Sequence, residues 1–517
     1  MPIPPRFDHQ PLTPTAFLQR AAQVFPDRVG VVDGERRLTW QAFLERCMKL
    51  AGALAAAGIA PGDRVAVLAP NTELLLAAHY AVPFAGAVLV ALNTRITSAD
   101  VAYILEHAGA TLLIHDDSLA GVAAEGQALA THRLRLWRAG GKADEVEALI
   151  AQAAPYRRPV EDERSLLAID YTSGTTGQPK GVMYHHRGAY LQALAMAMHM
   201  RLDSDSVYLW TLPMFHCNGW CFPWAVTATG ARHLCLPRVE AAAIWRHLRE
   251  SGVTHFCAAP TLLTMTAWDP DARRLERSLR IATGGAPPTP ALLQRLADLG
   301  MDITHLYGLT ETYGPSAICE WRSEWNARSA SEQARLKARQ GVCNVIGEPL
   351  RVVDAEGADV PADAKTMGEI AIRGNNVMLG YYRDEDATRR ACPDGWFRTG
   401  DLGVMHADGY VELRDRAKDI IISGGENIAS VEVEQAMTHH PAVLEVAVVA
   451  GPDEKWGEVP VAFVTLKTGA SASERELIEH VRDRLAHFKA PRRVVFGPLP
   501  KTSTGKIQKK VLRDRLR

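Results

Sequence analysis

Residues 171–181 read YTSGTTGQPKG, a loop of hydroxyl side chains and glycines that leads to one cation, Lys180. Hydroxyl groups and backbone N–H groups freed by glycine can surround phosphate oxygens, and the lysine adds a positive charge. The loop follows the apolar run 166–171, which predicts a buried strand, and open α/β sheets place ligand loops after their strands. The pattern is not a Walker A loop, because GxxxxGK[ST] is absent. Such a turn is more often a flexible connection, so alone it indicates only an anion site.

Outward from this loop, segments with helical periodicity alternate with short runs of β-branched residues. Residues 50–57 precede 64–68 in this way, and residues 291–296 precede 303–306. This alternation predicts an α/β protein whose parallel sheets are covered by helices.

The segment 74–92 is apolar for nearly the length of a membrane span, but it contains His79, Pro83 and Gly86. We interpret it as a buried helix that ends near Pro83, followed by a buried strand at 88–90. The sequence therefore predicts no integral membrane segment.

The chain has 517 residues, more than a single core usually contains, so we expect at least two domains. Strands are predicted at 443–449 and 459–464, and a helix at 473–487. These elements, with the basic stretch that follows residue 489, predict a small α+β domain at the C-terminal end.

The chain has 58 basic and 59 acidic residues, so its net charge is close to zero. No global bias toward nucleic acid or an anionic membrane follows. The first residues lack the apolar core of a secretory signal, which favours a cytoplasmic location.

Eight cysteines without a CxxC pair argue against a disulfide framework or a zinc site. Cys217 and Cys221 could share a helix face, and ordinary packing is the favoured interpretation.

Five further polar clusters accompany the phosphate loop, most of them containing glycine. In chain order they are YGLTET (307–312), TGD (399–401), RDRAKD (414–419), GGENI (424–428) and KTSTGK (501–506). With these clusters the sequence resembles the adenylate-forming superfamily of acyl-CoA synthetases, peptide-synthetase adenylation domains and luciferases. The resemblance extends from about Leu38 to Lys506.

The resemblance implies the fold and the reaction. We expect a large N-terminal domain of stacked sheets and helices, 1–414, and a small mobile α+β C-terminal domain, 415–517. A carboxylate would attack the α-phosphate of ATP and expel pyrophosphate, so cations must neutralise the developing charge. The thiol of coenzyme A would then convert the acyl-adenylate to acyl-CoA and release AMP. ATP, Mg²⁺ and coenzyme A are the expected cofactors.

By the same resemblance, the nucleotide site has a defined set of residues. Glu311 would ligate Mg²⁺, Thr310 would contact the α-phosphate, and Lys506 would bridge the carboxylate and the α-phosphate. The phosphate-binding residues would be Thr172, Ser173, Gly174, Thr175, Thr176, Gly177 and Lys180. The adenine and ribose contacts would come from Gly284, Gly285, Ala286, Pro287, Tyr307, Gly308, Asp401 and Arg416.

The second half-reaction needs another surface against the same adenylate. The resemblance makes Asp415 the hinge about which the small domain turns. The rotation would bring Ser423, Gly424, Gly425 and Glu426 against the nucleotide. Basic side chains at the rim could meet the coenzyme A phosphates, or could be solvated surface: Arg232, Arg238, Lys489, Arg492 and Arg493.

The segment 214–220, MFHCNGW, would line the acyl tunnel, with Trp220 as a gate and His216 next to the carboxylate. Amino-acid-adenylating domains commonly have Asp at the position of His216, so an α-amino acid is disfavoured. Segments 319–325 and 336–342 resemble those of short- and medium-chain acyl-CoA ligases and methylthiopropionate-CoA ligases. A simple helix at 331–340 would explain the charged residues of that stretch equally well.

Two alternatives from other classes remain. A non-catalytic nucleotide-binding module predicts the loss of Glu311 or Lys506, and both are present. A luciferase-like oxygenase would emit light with a luciferin. The sequence leaves open the particular carboxylic acid and the oligomeric state, a homodimer included.

Overall fold

The computed structural model describes residues 9–132, 134–172, 178–285, 288, 290–501 and 507–516. The strands, in chain order, are β1 (Val29–Asp33), β2 (Arg36–Thr39), β3 (Arg64–Leu68), β4 (Val88–Ala91), β5 (Ala110–Asp116), β6 (Arg135–Ala139), β7 (Leu166–Tyr171), β8 (Gly181–His185), β9 (Val207–Leu209), β10 (Arg232–Leu234), β11 (His255–Ala258), β12 (Leu279–Thr283), β13 (Met301–Leu309), β14 (Gly314–Ile318), β15 (Val342–Cys343), β16 (Arg351–Val353), β17 (Met367–Ile372), β18 (Gly380–Tyr381), β19 (Phe397–Met405), β20 (Val411–Arg416), β21 (Ile421–Ser423), β22 (Glu426–Ile428), β23 (Val443–Asp453), β24 (Gly457–Leu466) and β25 (Arg493–Phe496).

The helices, in chain order, are α1 (Ala16–Val24), α2 (Trp40–Ala56), α3 (Glu73–Phe84), α4 (Ser98–Ala108), α5 (Ala120–Leu129), α6 (Glu145–Gln152), α7 (His186–His199), α8 (Cys217–Trp220), α9 (Phe222–Thr229), α10 (Ala241–Glu250), α11 (Pro260–Ala267), α12 (Pro290–Asp298), α13 (Ala330–Ala338), α14 (Glu385–Ala391), α15 (Ser430–Thr438), α16 (Glu474–Arg482) and α17 (Lys509–Asp514). Element α8 differs from the others, because its backbone winds in the left-handed sense.

Two large sheets form the body of the N-terminal part. Within the described residues, one has the strand order β18-β8-β7-β4-β3-β5-β6 and the other β15-β14-β13-β12-β11-β9-β10-β1-β2. Their interior strands run parallel, as the alternating sequence pattern predicts. Some neighbouring strands are antiparallel, however, among them β7 and β8.

The apolar segment 74–92 is buried, as predicted. Every residue of α3 is buried, with Pro83 inside its last turn, and β4 follows with all four residues buried. No helix among the described residues has both the length and the apolar character needed to cross a bilayer.

A third sheet, β16-β17-β19-β20, is antiparallel throughout. Its strands β19 and β20 pair Asp401 with Arg416 and Leu402 with Asp415. The sheet therefore places the ribose-binding candidates and the expected hinge residue side by side.

The C-terminal residues form a sheet and cores of their own. Strands β22-β21-β24-β23 are joined by β25, which runs parallel to β24. Val433, Val448, Val464 and Leu477 lie in one core cluster with other C-terminal residues. The predicted strands at 443–449 and 459–464 are confirmed within β23 and β24.

Two sequence predictions need correction. The helix expected at 473–487 begins at Glu474, after the N-cap Ser473, but ends at Arg482. The chain turns there because Leu485 and Ala490 pack into the C-terminal core before β25 starts at Arg493. Cys217 and Cys221 do not share a helix face, since both lie in the left-handed segment.

Candidate active site

The phosphate loop joins two paired strands, β7 and β8. Thr172 N donates to Lys180 O at 3.0 Å, and Lys180 N donates to Thr172 Oγ1 at 3.3 Å, so the base of the loop is closed. Tyr171 pairs with Gly181 at the last position of the ladder. The predicted residues Ser173, Gly174, Thr175, Thr176 and Gly177 lie outside the described residues.

Lys180 is exposed and lies beside two side chains from one distant segment. Its Nζ is 3.8 Å from Asp384 Oδ2 and 4.7 Å from the centre of the Tyr381 ring. Asp384 is also the N-cap of α14, where it accepts a hydrogen bond from Ala387 N. Lys180 is therefore held at the edge of the loop by a weak ion pair and an aromatic face.

Tyr381 also connects Lys180 with Glu311. The Tyr381 hydroxyl donates to Glu311 Oε1 at 2.8 Å. Burial and the negative charge of Glu311 raise the pKa of Tyr381, which keeps it a hydrogen-bond donor at neutral pH. Tyr381 was not predicted from the sequence. Its segment, GYYRDED, is remote from YGLTET in the chain and contains no recognisable functional motif.

Thr310 and His216 lie on either side of one thiol. Cys217 Sγ is 3.6 Å from Thr310 Oγ1 and 4.0 Å from His216 Nε2. The carbonyl of Thr310 accepts a 2.6 Å hydrogen bond from the Tyr184 hydroxyl. The structure thus brings the predicted α-phosphate contact next to the predicted acyl segment.

The predicted nucleoside residues also converge. Tyr307 donates from its hydroxyl to Asp401 Oδ2 at 2.7 Å, and Arg416 Nε lies 3.1 Å from Asp401 Oδ1. Asp401 is only 3% exposed, so its carboxylate is oriented by two partners in a nearly dry environment. Burial and the nearby Asp401 charge raise the pKa of Tyr307.

Two glycines border this cluster closely. A Cβ on Gly308 would lie 1.9 Å from the carbonyl oxygen of Gly314, and a Cβ on Gly284 would lie 2.9 Å from Leu306 O. Neither position has room for a side chain, which explains glycine in both predicted motifs. Gly285 is exposed with a φ of +86°, whereas the predicted residues Ala286 and Pro287 lie outside the described residues.

The acyl segment contains five consecutive residues with positive φ. The values are 43° at Cys217, 38° at Asn218, 54° at Gly219, 53° at Trp220 and 64° at Cys221. For residues other than glycine this conformation costs about 1–2 kcal/mol each. The last four residues of the motif MFHCNGW and the following Cys221 therefore form a strained left-handed turn rather than a helix, and its conformation must be held by its neighbours.

The GGENI motif forms a tight hairpin in the C-terminal sheet. Gly424 and Gly425 connect β21 and β22 with φ values of 59° and 89°, as a two-residue hairpin turn requires. A Cβ on Gly424 would lie 2.5 Å from the ring of Trp456, so the turn lies flat against that ring. Ser423 pairs with Gly457, and Glu426 is exposed at the hairpin tip. The contacts described for this hairpin are within the C-terminal sheet.

Asp415 connects the two parts of the chain. Its backbone belongs to β20, whereas its Oδ2 accepts hydrogen bonds from the backbone N–H and the hydroxyl of Ser430, the first residue of α15. Lys509 Nζ in turn lies 2.5 Å from Ser430 Oγ and 2.7 Å from Glu434 Oε1. Lys506, three residues before Lys509, lies outside the described residues.

Two of the basic residues suggested for coenzyme A binding, Lys489 and Arg232, contact other groups of the protein. Lys489 Nζ lies 2.7 Å from Glu432 Oε2, and Arg232 Nε donates to the carbonyl of Val29. These contacts give both side chains a structural role.

The structure groups Lys180, Tyr381 and Glu311 in one cluster and Tyr307, Asp401 and Arg416 in another, as the resemblance to adenylate-forming enzymes predicts. The family model described as "AMP-binding enzyme" matches residues 18–382, and "AMP-binding enzyme C-terminal domain" matches residues 432–506. The chain belongs to this family of AMP-binding enzymes.

Curated relatives narrow the class of reaction. "Acetate/butyrate--CoA ligase AAE7, peroxisomal" of Arabidopsis thaliana is 43% identical, covering 98% of this chain and 94% of its own length. "Acetate--CoA ligase CCL3" of Humulus lupulus is 44% identical, covering 97% and 94% respectively. ATP-bound MatB from Rhodopseudomonas palustris has a TM-score of 0.86 at 26% identity, covering 97% of this chain and 98% of that one. The protein is an ATP-dependent acid–CoA ligase.

Proposed function

We propose that this ligase activates a short-chain carboxylic acid as its adenylate and transfers the acyl group to coenzyme A within the same site. The observation that carries the proposal is the contact chain from Lys180 through Tyr381 to Glu311, with Thr310 next to the acyl segment. These contacts link the candidate phosphate cation to the candidate metal ligand, and Thr310 is next to Glu311 in the chain. The Asp401 pocket supplies the nucleoside end.

In this proposal each half of ATP has its own residues. Asp401 and Arg416 bind the ribose hydroxyls, and Thr310 contacts the α-phosphate. The β- and γ-phosphates are held by residues 172–177 with Lys180, and the adenine by residues 284–287 with Tyr307 and Gly308. Support comes from the carboxylate of Asp401, which is 3% exposed and is oriented by Tyr307 and Arg416. A carboxylate accepts hydrogen bonds, as binding to the ribose hydroxyls requires.

Glu311 fits a role as the protein ligand for Mg²⁺. It is a half-buried carboxylate with a fixed orientation, and Mg²⁺ is commonly held by one or two carboxylates together with substrate phosphates. When bound, the ion would neutralise phosphate charge. Tyr381 orients the carboxylate, and Lys180 contributes positive charge independently.

Lys506 is the proposed catalytic cation of the first half-reaction. Its flanks are anchored: Lys501 Nζ lies 2.6 Å from Glu445 Oε1, and Lys509 is buried against Glu434. The described residues on either side of 502–506 are thus paired with β23 and α15, and a cation at Lys506 would stabilise the transition state by neutralising its charge.

The division into an N-terminal domain, 1–414, and a mobile domain, 415–517, is part of the proposal. Asp415 would be the hinge, and Ser423–Glu426 the surface presented for thioester formation. Because β20 continues through Arg416, we place the rotating torsions at or just after this strand end. Rotation would then break the contact between Asp415 and Ser430.

A short acid is favoured by two observations. Three relatives are named for acetate, butyrate or 2-methylpropanoate, one from Metallosphaera sedula for 4-hydroxybutyrate, and one from Arabidopsis thaliana for benzoate. In this chain Trp220 is 8% exposed and lies close to Gly284 and Gly314, and in this proposal its indole would limit the length of the acyl pocket. Methylthiopropionate, predicted from the sequence, is of similar length and stays among the candidates.

A cytoplasmic location and a homodimer stay predictions. Relatives with "peroxisomal" in their names widen the choice of compartment. Neither property affects the chemistry proposed here.

The proposal is tested with purified protein, ATP, Mg²⁺ and coenzyme A against acids of increasing length, including methylthiopropionate, benzoate and a luciferin. Thioester mass and pyrophosphate release are measured together. We expect both products with acetate, butyrate or 2-methylpropanoate, and no light. Exclusive use of benzoate or a long-chain acid would contradict the proposed substrate class.

A further inference from the structure

Asn218 connects the left-handed turn 217–221 to two other elements. Its backbone N–H donates to Asp170 Oδ2 at 2.7 Å, and its side-chain Oδ1 accepts a 3.0 Å hydrogen bond from the Tyr313 hydroxyl. Tyr313 is itself stacked on Tyr184, with ring centres 3.6 Å apart. Both bonds reach Asn218 from other elements, so the turn conformation is imposed from outside.

Asp170 is an unusual residue for its position. It lies in β7, one of the central strands, and is only 2% exposed. Its Oδ1 has no hydrogen-bond partner among the described residues. A buried carboxyl group with one accepted bond is a poor way to stabilise a strand, where an apolar residue would pack better. Its presence therefore calls for a role in positioning.

The turn determines where Trp220 lies. A Cβ on Gly284 would be 3.1 Å from the Trp220 ring, and a Cβ on Gly314 would be 3.2 Å from Trp220. The indole is thus fitted between the predicted adenine segment and the residue that follows YGLTET. Because Trp220 belongs to the turn, a change in the backbone of the turn would change the position of its indole.

We propose that Asp170 is a positioning residue that holds the left-handed turn 217–221 and, through it, fixes Trp220 as the wall that limits the length of the acyl pocket. This inference rests on the proposed function, since it takes the space beside Trp220 to be the acyl site. Asp170 acts through Asn218 and contacts no substrate itself. Removing its acceptor oxygen lets the turn relax and opens the pocket.

The protonation state of Asp170 suggests a conservative variant. Burial raises the pKa of Asp170 well above its usual range, opposed in part by the hydrogen bond from Asn218 N. A neutral carboxyl group and a carboxamide are alike in shape, and both offer a carbonyl oxygen to the Asn218 N–H. Asp170→Asn should therefore preserve the turn, whereas Asp170→Leu removes the acceptor at similar volume.

The experiment compares wild type, Asp170→Asn and Asp170→Leu for kcat and KM with a series of acids from acetate to hexanoate, and for KM with ATP. For Asp170→Leu we expect KM of the best wild-type acid to rise about tenfold, as for one lost hydrogen bond. We also expect preference to move toward longer acids, while KM for ATP changes less than about twofold. Asp170→Asn should restore the wild-type profile.

Asp33→Leu is the matched control, because Asp33 accepts one backbone hydrogen bond, from Glu73 N, outside the candidate site. It should lower stability without changing the acid profile. If Asp170→Leu does not fold, Tyr313→Phe removes the other hydrogen bond to Asn218 and should shift the profile in the same direction. An unchanged acid profile in the folded variant overturns the inference. Failure of wild type to form any acyl-CoA would instead overturn the proposed function.

Discussion

The Tyr381 hydroxyl donates a 2.8 Å hydrogen bond to Oε1 of Glu311, and the face of the same ring lies 4.7 Å from the Lys180 ammonium. One side chain thus orients the proposed metal ligand and the proposed phosphate cation. The loop that suggested a nucleotide site is completed by a residue from a different part of the chain.

Tyr381→Phe should raise KM for Mg·ATP while leaving KM for the acid nearly unchanged. The hydrogen bond is to a charged group but partly open to solvent, so we expect about a fivefold effect. Tyr382→Phe is the neighbouring control, since the Tyr382 ring packs against His107. Equal effects of both variants on KM for Mg·ATP would contradict the assignment.

Asp401→Ala should lower kcat/KM for ATP by about 100-fold, because it leaves Arg416 and the ribose without a buried acceptor. The effect is measured at saturating acid and coenzyme A. Asp408→Ala breaks a comparable ion pair with Arg339, whose Nη1 is 3.0 Å away, and should leave KM for ATP unchanged. A similar loss in both variants would indicate general destabilisation instead.

Ser430→Ala should change the ratio of the two half-reaction rates. The Ser430 hydroxyl contacts both Asp415 and Lys509. Its loss should destabilise the orientation of the C-terminal part seen in the structure by about 1 kcal/mol. The population of this orientation relative to the rotated one should then fall about fivefold. Single-turnover rates of adenylate formation and thioester formation are measured separately. If both rates changed by the same factor, the contact between Asp415 and Ser430 would not control the orientation of the C-terminal part.

Stability should fall as the pH drops below about 6.5. Burial lowers the pKa of His79 to about 4 and of His233 to about 3, so the unfolded chain binds more protons than the folded one in this range. Stability from these groups is therefore complete near neutral pH and is lost on acidification, by about 2 kcal/mol per histidine at pH 5.

Urea midpoints at pH 7.5, 6 and 5 measure this dependence. In His79→Leu the urea midpoint should depend less steeply on pH. The variant lacks the histidine whose Nε2 has no partner among the described residues and binds a proton only after unfolding. A midpoint that is constant across this range, or an unchanged slope in the variant, would contradict the expectation.

The sequence predicted those parts of the fold that depend on local pattern. The buried helix and strand in 74–92 follow from uninterrupted apolar character, and β7 from its position before the loop. The antiparallel edges were not predicted, because strand direction depends on connections and partners rather than on composition. The helix at 474–482 was predicted too long, since its end is set by core packing at Leu485.

The candidate site was predicted through its motifs, and the contacts among Tyr307, Asp401 and Arg416 agree with that grouping. Tyr381 was missed because a lone tyrosine has no distinctive spacing. The left-handed turn was also missed, since only Asn218 and Gly219 readily adopt positive φ and the two cysteines and Trp220 do not. Tertiary contacts with Asp170 and Tyr313 supply that conformation.

The central claim is that one site performs both half-reactions, with Lys506 acting in the first. The most direct measurement compares Lys506→Ala with wild type and with Lys510→Ala, an exposed lysine nearby. We predict that Lys506→Ala slows pyrophosphate release from acid and ATP by about 100-fold or more. Its rate of thioester formation from supplied acyl-adenylate should stay within about twofold of wild type. Equal loss in both half-reactions, or equal effects of the two lysine variants, would contradict the account.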